Sequence, residues 1–161
     1  MAREKEDFPP LLPAGEHVLS VEEIRSMCVD DFPLSVTRAE IMRGFEIIFS
    51  ELLAFGIPCD IVFDGSFLTK EIDPDDVDFA VVVTPEFFES CNKEQTKYLE
   101  WIRDEFSIKE THKCDCYLVV EYPPSHPLYC DGDQNRAFWV NLYSKSIIYQ
   151  RVRGVAILRI A

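Results

Sequence analysis

The sequence predicts an α/β (α+β) protein with a small mixed β-sheet and helices mainly on one face. Short apolar runs rich in β-branched and aromatic residues indicate strands near 60–64, 76–83, 114–122 and 152–160. Between and before them, apolar residues recur at helical spacing. The 161 residues contain no internal repeat and no domain boundary, so one domain is expected.

The chain starts with an arm and a short helix. Residues 1–16 are charged and then proline-rich without apolar periodicity. This pattern predicts an extended arm, lying on the domain or free in solvent, and leaves 17–161 as the folded domain. Ser20-Val-Glu-Glu23 is a capping-box pattern, which predicts a helix over 21–27.

A longer helix follows. It starts at Ser35 or Thr37, both of which can cap a helix, and continues to about Leu53. Gly56 and Pro58 end it. The apolar stripe recurs at steps of four, three and four residues and is expected to pack behind the sheet: Ile41, Phe45, Ile48 and Leu52.

The second half of the chain carries further helices. Residues 85–106 form one helix or two, because Asn92 followed by Gln95 is a second start signal. The buried stripe of the second helix is expected to reach Phe106. Residues 137–143 are expected to be helical as well.

The connection between the first two predicted strands carries the chemistry. Side chains alternate along a strand, so Asp76 and Asp78 project from one face, about 6.6 Å apart along the chain. Two carboxylates at 4 Å repel by about 4 kcal/mol at an effective dielectric near 20. We therefore expect a divalent cation, Mg²⁺ or Mn²⁺, between them.

Gly65 and Ser66 precede this pair by nine intervening residues. A glycine lets backbone N–H groups approach a phosphate, and a hydroxyl at a helix start adds a hydrogen bond. Lys70 is a weaker candidate for a phosphate contact. A phosphate cradle beside metal-binding carboxylates predicts nucleotide chemistry.

The simpler alternative is an acidic turn before a strand. Asp73, Pro74 and Asp75 are good turn residues, but a turn does not explain Asp76 and Asp78 leading into an apolar strand. An EF-hand loop is excluded, because no glycine follows the acids and no glutamate closes the loop.

The pattern resembles a known signature. Gly65-Ser66, nine residues, Asp76-Val77-Asp78 and an apolar run resemble polymerase-β-type nucleotidyltransferases. The stretch DGSFLTKEIDPDDVDFAVVV looks most like a bacterial family of small, uncharacterised nucleotidyltransferase-like proteins. The resemblance implies a nucleotidyltransferase fold, with Gly65 and Ser66 holding the β and γ phosphates of a nucleoside triphosphate (NTP).

The resemblance also implies a third metal-binding and catalytic carboxylate beside Asp76 and Asp78. Asp115 is its best match, because it stands alone among the apolar residues of the next predicted strand. In the resembled family this third residue also polarises the attacking hydroxyl. A solvent-facing edge position and a structural hydrogen bond are the alternatives for Asp115.

The implied function is a metal-dependent nucleotidyltransferase that moves a nucleoside monophosphate from an NTP to a hydroxyl of a small molecule or partner protein. Polymerising relatives carry extra domains for nucleic acid, and this chain has no room for one. The alternative is a non-catalytic interaction module of the same fold, either antitoxin-like or nucleotide-sensing.

Composition limits the partners. The net charge of −13 opposes unaided binding of nucleic acid, although residues 134–161 contain five basic and no acidic residues that could meet phosphates or a charged partner. The sequence has no apolar run of the ~20 residues that a membrane span needs and no secretory signal, so a cytoplasmic protein is expected.

The six cysteines are then expected to be reduced and mostly buried. Zinc is a minor alternative for the segment that holds two histidines and three cysteines, whose spacing matches no structural zinc site. These residues are His112, Cys114, Cys116, His126 and Cys130.

Overall fold

The computed structural model describes residues 7–129 and 153–161. The strands are β1 Gly15–Val18, β2 Cys59–Asp64, β3 Val77–Val83, β4 Cys114–Val120 and β5 Gly154–Ile160. The α-helices are α1 Val21–Arg25, α2 Arg38–Ala54, α3 Pro85–Ser90, α4 Lys93–Ile102 and α5 Glu105–His112. A π-helical turn, Ser26–Asp30, extends α1, and a 3₁₀ turn, Ser66–Leu68, follows β2.

The strands form one mixed sheet in the order β1-β5-β2-β3-β4. Strands β3 and β4 are parallel, as are β1 and β5, whereas β2 is antiparallel to both of its neighbours. The predicted class, a mixed sheet combined with helices, is confirmed. Strand β1 was not predicted: GEHV has little strand propensity and is mostly exposed, and its pairing with β5 holds it in the sheet.

From residue 7 onwards the predicted arm lies on the domain. The Leu11 N–H donates to the Leu68 carbonyl at 2.9 Å, and the Lys70 N–H donates to the Pro9 carbonyl at 2.8 Å. The Gly154 N–H donates to the Leu12 carbonyl at 3.2 Å. The arm therefore contacts both the connection after β2 and the start of β5.

The described helices pack on one face of the sheet. Phe45 of α2 contacts the rings of Phe63 and Phe79 edge-on, at centroid distances of 4.8 and 5.3 Å. Buried side chains of α1, α4 and α5 join the same core cluster. The opposite face, called here the second face, is formed by six buried side chains and by the strand residues two positions away from them along each strand: Val62, Ala80, Val82, Val119, Val155 and Ile157 are the six buried side chains.

Two helix predictions need correction. Residues 85–106 belong to three helices, because the Asp104 side chain accepts a hydrogen bond from the Ser107 N–H at 3.4 Å and caps α5. Phe106 therefore belongs to α5 and not to α4. The capping box at Asn92 is confirmed. The helix predicted over 137–143 lies outside the described residues.

The start of α2 is capped by Ser35. Its hydroxyl accepts from the Arg38 N–H at 3.1 Å, whereas Thr37 occupies the N-cap position without a side-chain cap bond.

None of the described helices has the length and apolar character that a membrane crossing requires.

Cysteine reactivity gives a first prediction. Cys28, Cys59, Cys114 and Cys116 are buried free thiols, and burial raises the pKa of Cys28 and of Cys59 to about 12. Because the thiolate is the nucleophile, these four should stay unlabelled by iodoacetamide in the native protein, while half-buried Cys91 reacts. Peptide mass spectrometry before and after urea unfolding measures this. Rapid native labelling of Cys114 would contradict the core packing.

Candidate functional site

Three carboxylates lie in one row across neighbouring strands. Asp64 of β2 pairs in register with Asp78 of β3, and Asp78 pairs with Asp115 of β4. Alternation along the strands places all three on the second face. Neighbouring strands are only about 4.8 Å apart, so strand pairing by itself brings these negative charges together.

Asp76 joins two members of this row. One carboxylate oxygen from each of Asp76, Asp78 and Asp115 lies within 4.8 Å of the others, and all three residues are half-buried. Between them in sequence, Val77 points into the core and is fully buried. Among the described residues, no other three His, Cys, Asp or Glu side chains come together in this way. We call Asp76, Asp78 and Asp115 the acidic triad.

Gly65 lies directly against the acidic triad. Its φ is +84°, a backbone conformation that L side chains rarely adopt. A Cβ at this position would lie 2.1 Å from Asp78 Oδ2. The turn after β2 and the carboxylate of β3 therefore approach each other more closely than any other residue type would allow.

The remaining predicted phosphate contacts are placed differently. Ser66 is half-buried at the start of the 3₁₀ turn, next to Gly65, and its carbonyl accepts from the Thr69 N–H and hydroxyl at 3.1 and 2.7 Å. Lys70 is exposed, and within the described residues its ammonium forms no ion pair with the triad.

A buried ion pair borders the triad. Arg153 Nη2 lies 2.9 Å from Asp64 Oδ2, and the two side chains are only 10% and 3% exposed. Burial raises the pKa of Asp64, although the charge of Arg153 and the Gly65 N–H act in the opposite direction, and the charge of Asp78 raises it further. No well-aligned hydrogen bond reaches Asp64 Oδ1 from the described residues.

A lysine from the neighbouring helix contacts the triad. Lys109 Nζ of α5 lies 3.3 Å from Asp76 Oδ2, with the lysine side chain 57% and the aspartate side chain 17% exposed. The hydrogen bond and charge of Asp76 raise the pKa of Lys109, and the charges of Asp115 and Asp78 add to this effect. Tyr117 also reaches the cluster, donating from its hydroxyl to Asp115 Oδ2 at 3.4 Å.

A buried arginine holds the connection between β2 and β3. Arg38 is fully buried, and its guanidinium donates five hydrogen bonds of 2.6–3.1 Å to backbone carbonyls. The guanidinium also lies 3.8 Å from the centroid of the Phe32 ring. The acceptors belong to Cys28, Phe67, Thr69 and Glu71. Three of these four residues lie between Gly65 and Asp76, so Arg38 fixes the path of that connection.

Sequence reasoning missed Asp64, Arg153, Lys109 and Arg38 as parts of this region. Asp64 had one signal, since it ends an apolar strand directly before Gly65. The other three are single basic residues without a motif. In the basic end, Arg153 pairs with Asp64 and Arg159 Nε lies 3.5 Å from Asp60 Oδ1, while Arg136, Lys145 and Arg151 lie outside the described residues.

The acidic triad suits a hard cation. Its donors are carboxylate oxygens, which Mg²⁺ and Mn²⁺ prefer, and three negative charges in one small volume repel each other unless a cation lies among them. Zinc receives no comparable donor set from the described residues, because Cys114 and Cys116 are buried in the core on the other face of the sheet.

Comparison with known proteins gives a family. Residues 5–159 match the model of DUF6932, a family of unknown function. No match is found among curated proteins or among solved structures.

Proposed function

The chain belongs to the DUF6932 family, and we propose that it is a metal-dependent nucleotidyltransferase of the polymerase-β type. It would transfer a nucleoside monophosphate from an NTP to a hydroxyl of a small molecule or partner protein, with release of pyrophosphate. One observation carries the proposal: the acidic triad assembles from β3, the residue directly before it and β4, beside the Gly65 turn. The five-stranded mixed sheet with helices on one face is compatible with such a fold.

Each side chain has a distinct role in this proposal. Asp76, Asp78 and Asp115 would hold Mg²⁺ or Mn²⁺, which neutralises phosphate charge during nucleotidyl transfer. Gly65 lets the backbone of the turn lie against Asp78, so a triphosphate bound at the triad would lie beside this turn, where Ser66 offers a hydroxyl. Lys70, exposed on the following turn, remains a candidate for a contact with the outer phosphates.

The reaction needs one bond exchanged at the α-phosphorus. The acceptor hydroxyl oxygen bonds to that phosphorus, and the bond to the oxygen that bridges the α and β phosphates breaks, so pyrophosphate leaves. Asp115 lies on β4, at the end of the carboxylate row, and it would accept the proton of the attacking hydroxyl. In-line placement of the two oxygens is the geometric requirement for this chemistry.

Substitution of a triad residue is expected to abolish both the stabilisation by Mg²⁺ with NTP and the transfer of the nucleotide. In the wild-type protein, Mg²⁺ with NTP should raise the free energy of unfolding, by about 2.7 kcal/mol at one hundred times Kd. Asp78→Asn should lose this gain and reduce label transfer from NTP more than about 100-fold, since even the partners of metal ligands contribute about 10- to 100-fold. Thermal unfolding and transfer of α-labelled NTP to host lysate measure the two effects.

Asp75→Asn is the matched control. Asp75 is an exposed aspartate one residue before the triad and is not part of it, so its loss changes net charge equally without removing a ligand. Equal responses of the Asp75 and Asp78 variants would contradict the proposal. An absence of any nucleotide stabilisation in the wild-type protein would also contradict it.

The Lys109–Asp76 ion pair favours a second function, a non-catalytic module. An ammonium group already neutralises part of the acidic triad, so the cluster has a partner without any metal. A protein that captures its partner equally well with Asp78→Asn and transfers no label would be such a module, in an antitoxin-like or nucleotide-sensing role.

A further inference from the structure

We infer that Lys109 is an exchangeable counter-ion of the acidic triad: a divalent cation displaces its ammonium group from Asp76, and the phosphates of the nucleotide then bind it. This inference rests on the proposed function. It assigns a nucleotide-binding role to a lysine outside the Gly-Ser-Asp-Asp motif, on a helix that the motif does not include.

The geometry of Lys109 supports exchange. Its Nζ lies 3.3 Å from Asp76 Oδ2, so it occupies one side of the triad. The lysine side chain is 57% exposed, and exposed ion pairs are weak because solvent screens them. A divalent cation with three carboxylate ligands therefore outcompetes a single ammonium group for Asp76.

Asp64 gives independent support for a cation beside the row. Its side chain is 3% exposed, it lies directly across from Asp78 on the same face, and its Oδ1 receives no well-aligned hydrogen bond from the described residues. Arg153 pairs with Asp64 at one end of the row, while Lys109 contacts Asp76, which lies beside the row. The buried pair is fixed, whereas the exposed lysine is free to move.

The released ammonium group is in a position to bind the phosphates of the nucleotide. Lys109 is carried by α5, and a flexible four-carbon stem lets its ammonium move while staying close to the triad. An NTP bound at the cation brings several negative charges to that place. Lysine is a common phosphate ligand in nucleotide sites, acting as a point charge.

Substitution of Lys109 should raise the affinity for Mn²⁺ and lower the affinity for the NTP. Lys109→Met removes the competitor, so Mn²⁺ alone should bind about two- to fivefold more tightly, the range expected from an exposed ion pair. Binding of non-hydrolysable α,β-methylene NTPs at saturating Mn²⁺ should weaken about tenfold, as for the loss of a charged hydrogen bond. Electron paramagnetic resonance of free Mn²⁺ and calorimetric titration measure these affinities.

Three further variants complete the experiment. Lys109→Arg keeps the charge and should stay close to wild type, Lys93→Met is a control exposed lysine on α4, and Lys70→Met tests the lysine that the motif suggested. Unchanged affinities in Lys109→Met, or shifts of the same sign for both ligands, overturn the inference and leave the proposed function intact. A wild-type protein that binds no Mn²⁺ overturns both.

Discussion

Replacing Arg38 with alanine is expected to lower the free energy of unfolding by about 3–5 kcal/mol, as when one partner of a buried charged interaction is removed. The guanidinium donates to four different backbone carbonyls, and each carbonyl left buried without a donor costs about 1–3 kcal/mol. A loss of this size is a large part of the stability of a typical domain, about 5–15 kcal/mol. Urea unfolding followed by circular dichroism measures it.

Arg43→Ala is the control for this prediction. Arg43 lies on the same helix but is exposed, so its loss should change stability by no more than about 0.5 kcal/mol. Arg38→Lys keeps a positive charge but loses the planar fork that reaches several carbonyls, and it should rescue only part of the loss. Equal stability of the Arg38 and Arg43 alanine variants would show that Arg38 does not hold the connection between β2 and β3.

Replacing Gly65 with alanine is expected to remove the proposed cation binding. The new Cβ would meet Asp78 Oδ2 at 2.1 Å, so the carboxylate or the turn must move by about 1 Å or more. Displacements of that size at a reacting centre cost about 100-fold in rate. The positive φ adds backbone strain of about 1–3 kcal/mol. Mn²⁺ titration and urea unfolding separate the two effects.

Gly56→Ala provides a matched comparison. Gly56 also has a positive φ, +64°, but nothing lies within 4 Å of a Cβ placed there. It should therefore lose stability through backbone strain and keep full Mn²⁺ affinity. If Gly65→Ala binds Mn²⁺ as tightly as Gly56→Ala does, the contact between the Gly65 turn and Asp78 has no role in a cation site.

Much of the fold was predictable because its signals are local. The short apolar runs of β2, β3 and β4 and the periodic stripe of α2 are properties of short segments, and four of the five described strands were expected near their observed places. Strand β1 was not, since GEHV has no intrinsic preference strong enough to compete with the proline-rich arm. Only its pairing with β5 makes it a strand.

The residues of the candidate site were also predictable only in part. Asp76 and Asp78 were placed on one face by strand alternation alone, and the resemblance pointed to Asp115. The fourth carboxylate of the region, Asp64, was expected only as the last residue of the strand near 60–64. Its place became visible through the register of β2 with β3, which sets it opposite Asp78.

By itself, the sequence determined the strands, the long helix and the acidic motif, because hydrophobic periodicity and turn chemistry act over a few neighbouring residues. The tertiary structure decided which charges meet. Arg38 of α2, Lys109 of α5 and Arg153, directly before β5, are far apart in the sequence. Only the packing of the fold brings them to Glu71, Asp76 and Asp64. Long-range contacts of this kind depend on the whole fold, and no local pattern encodes them.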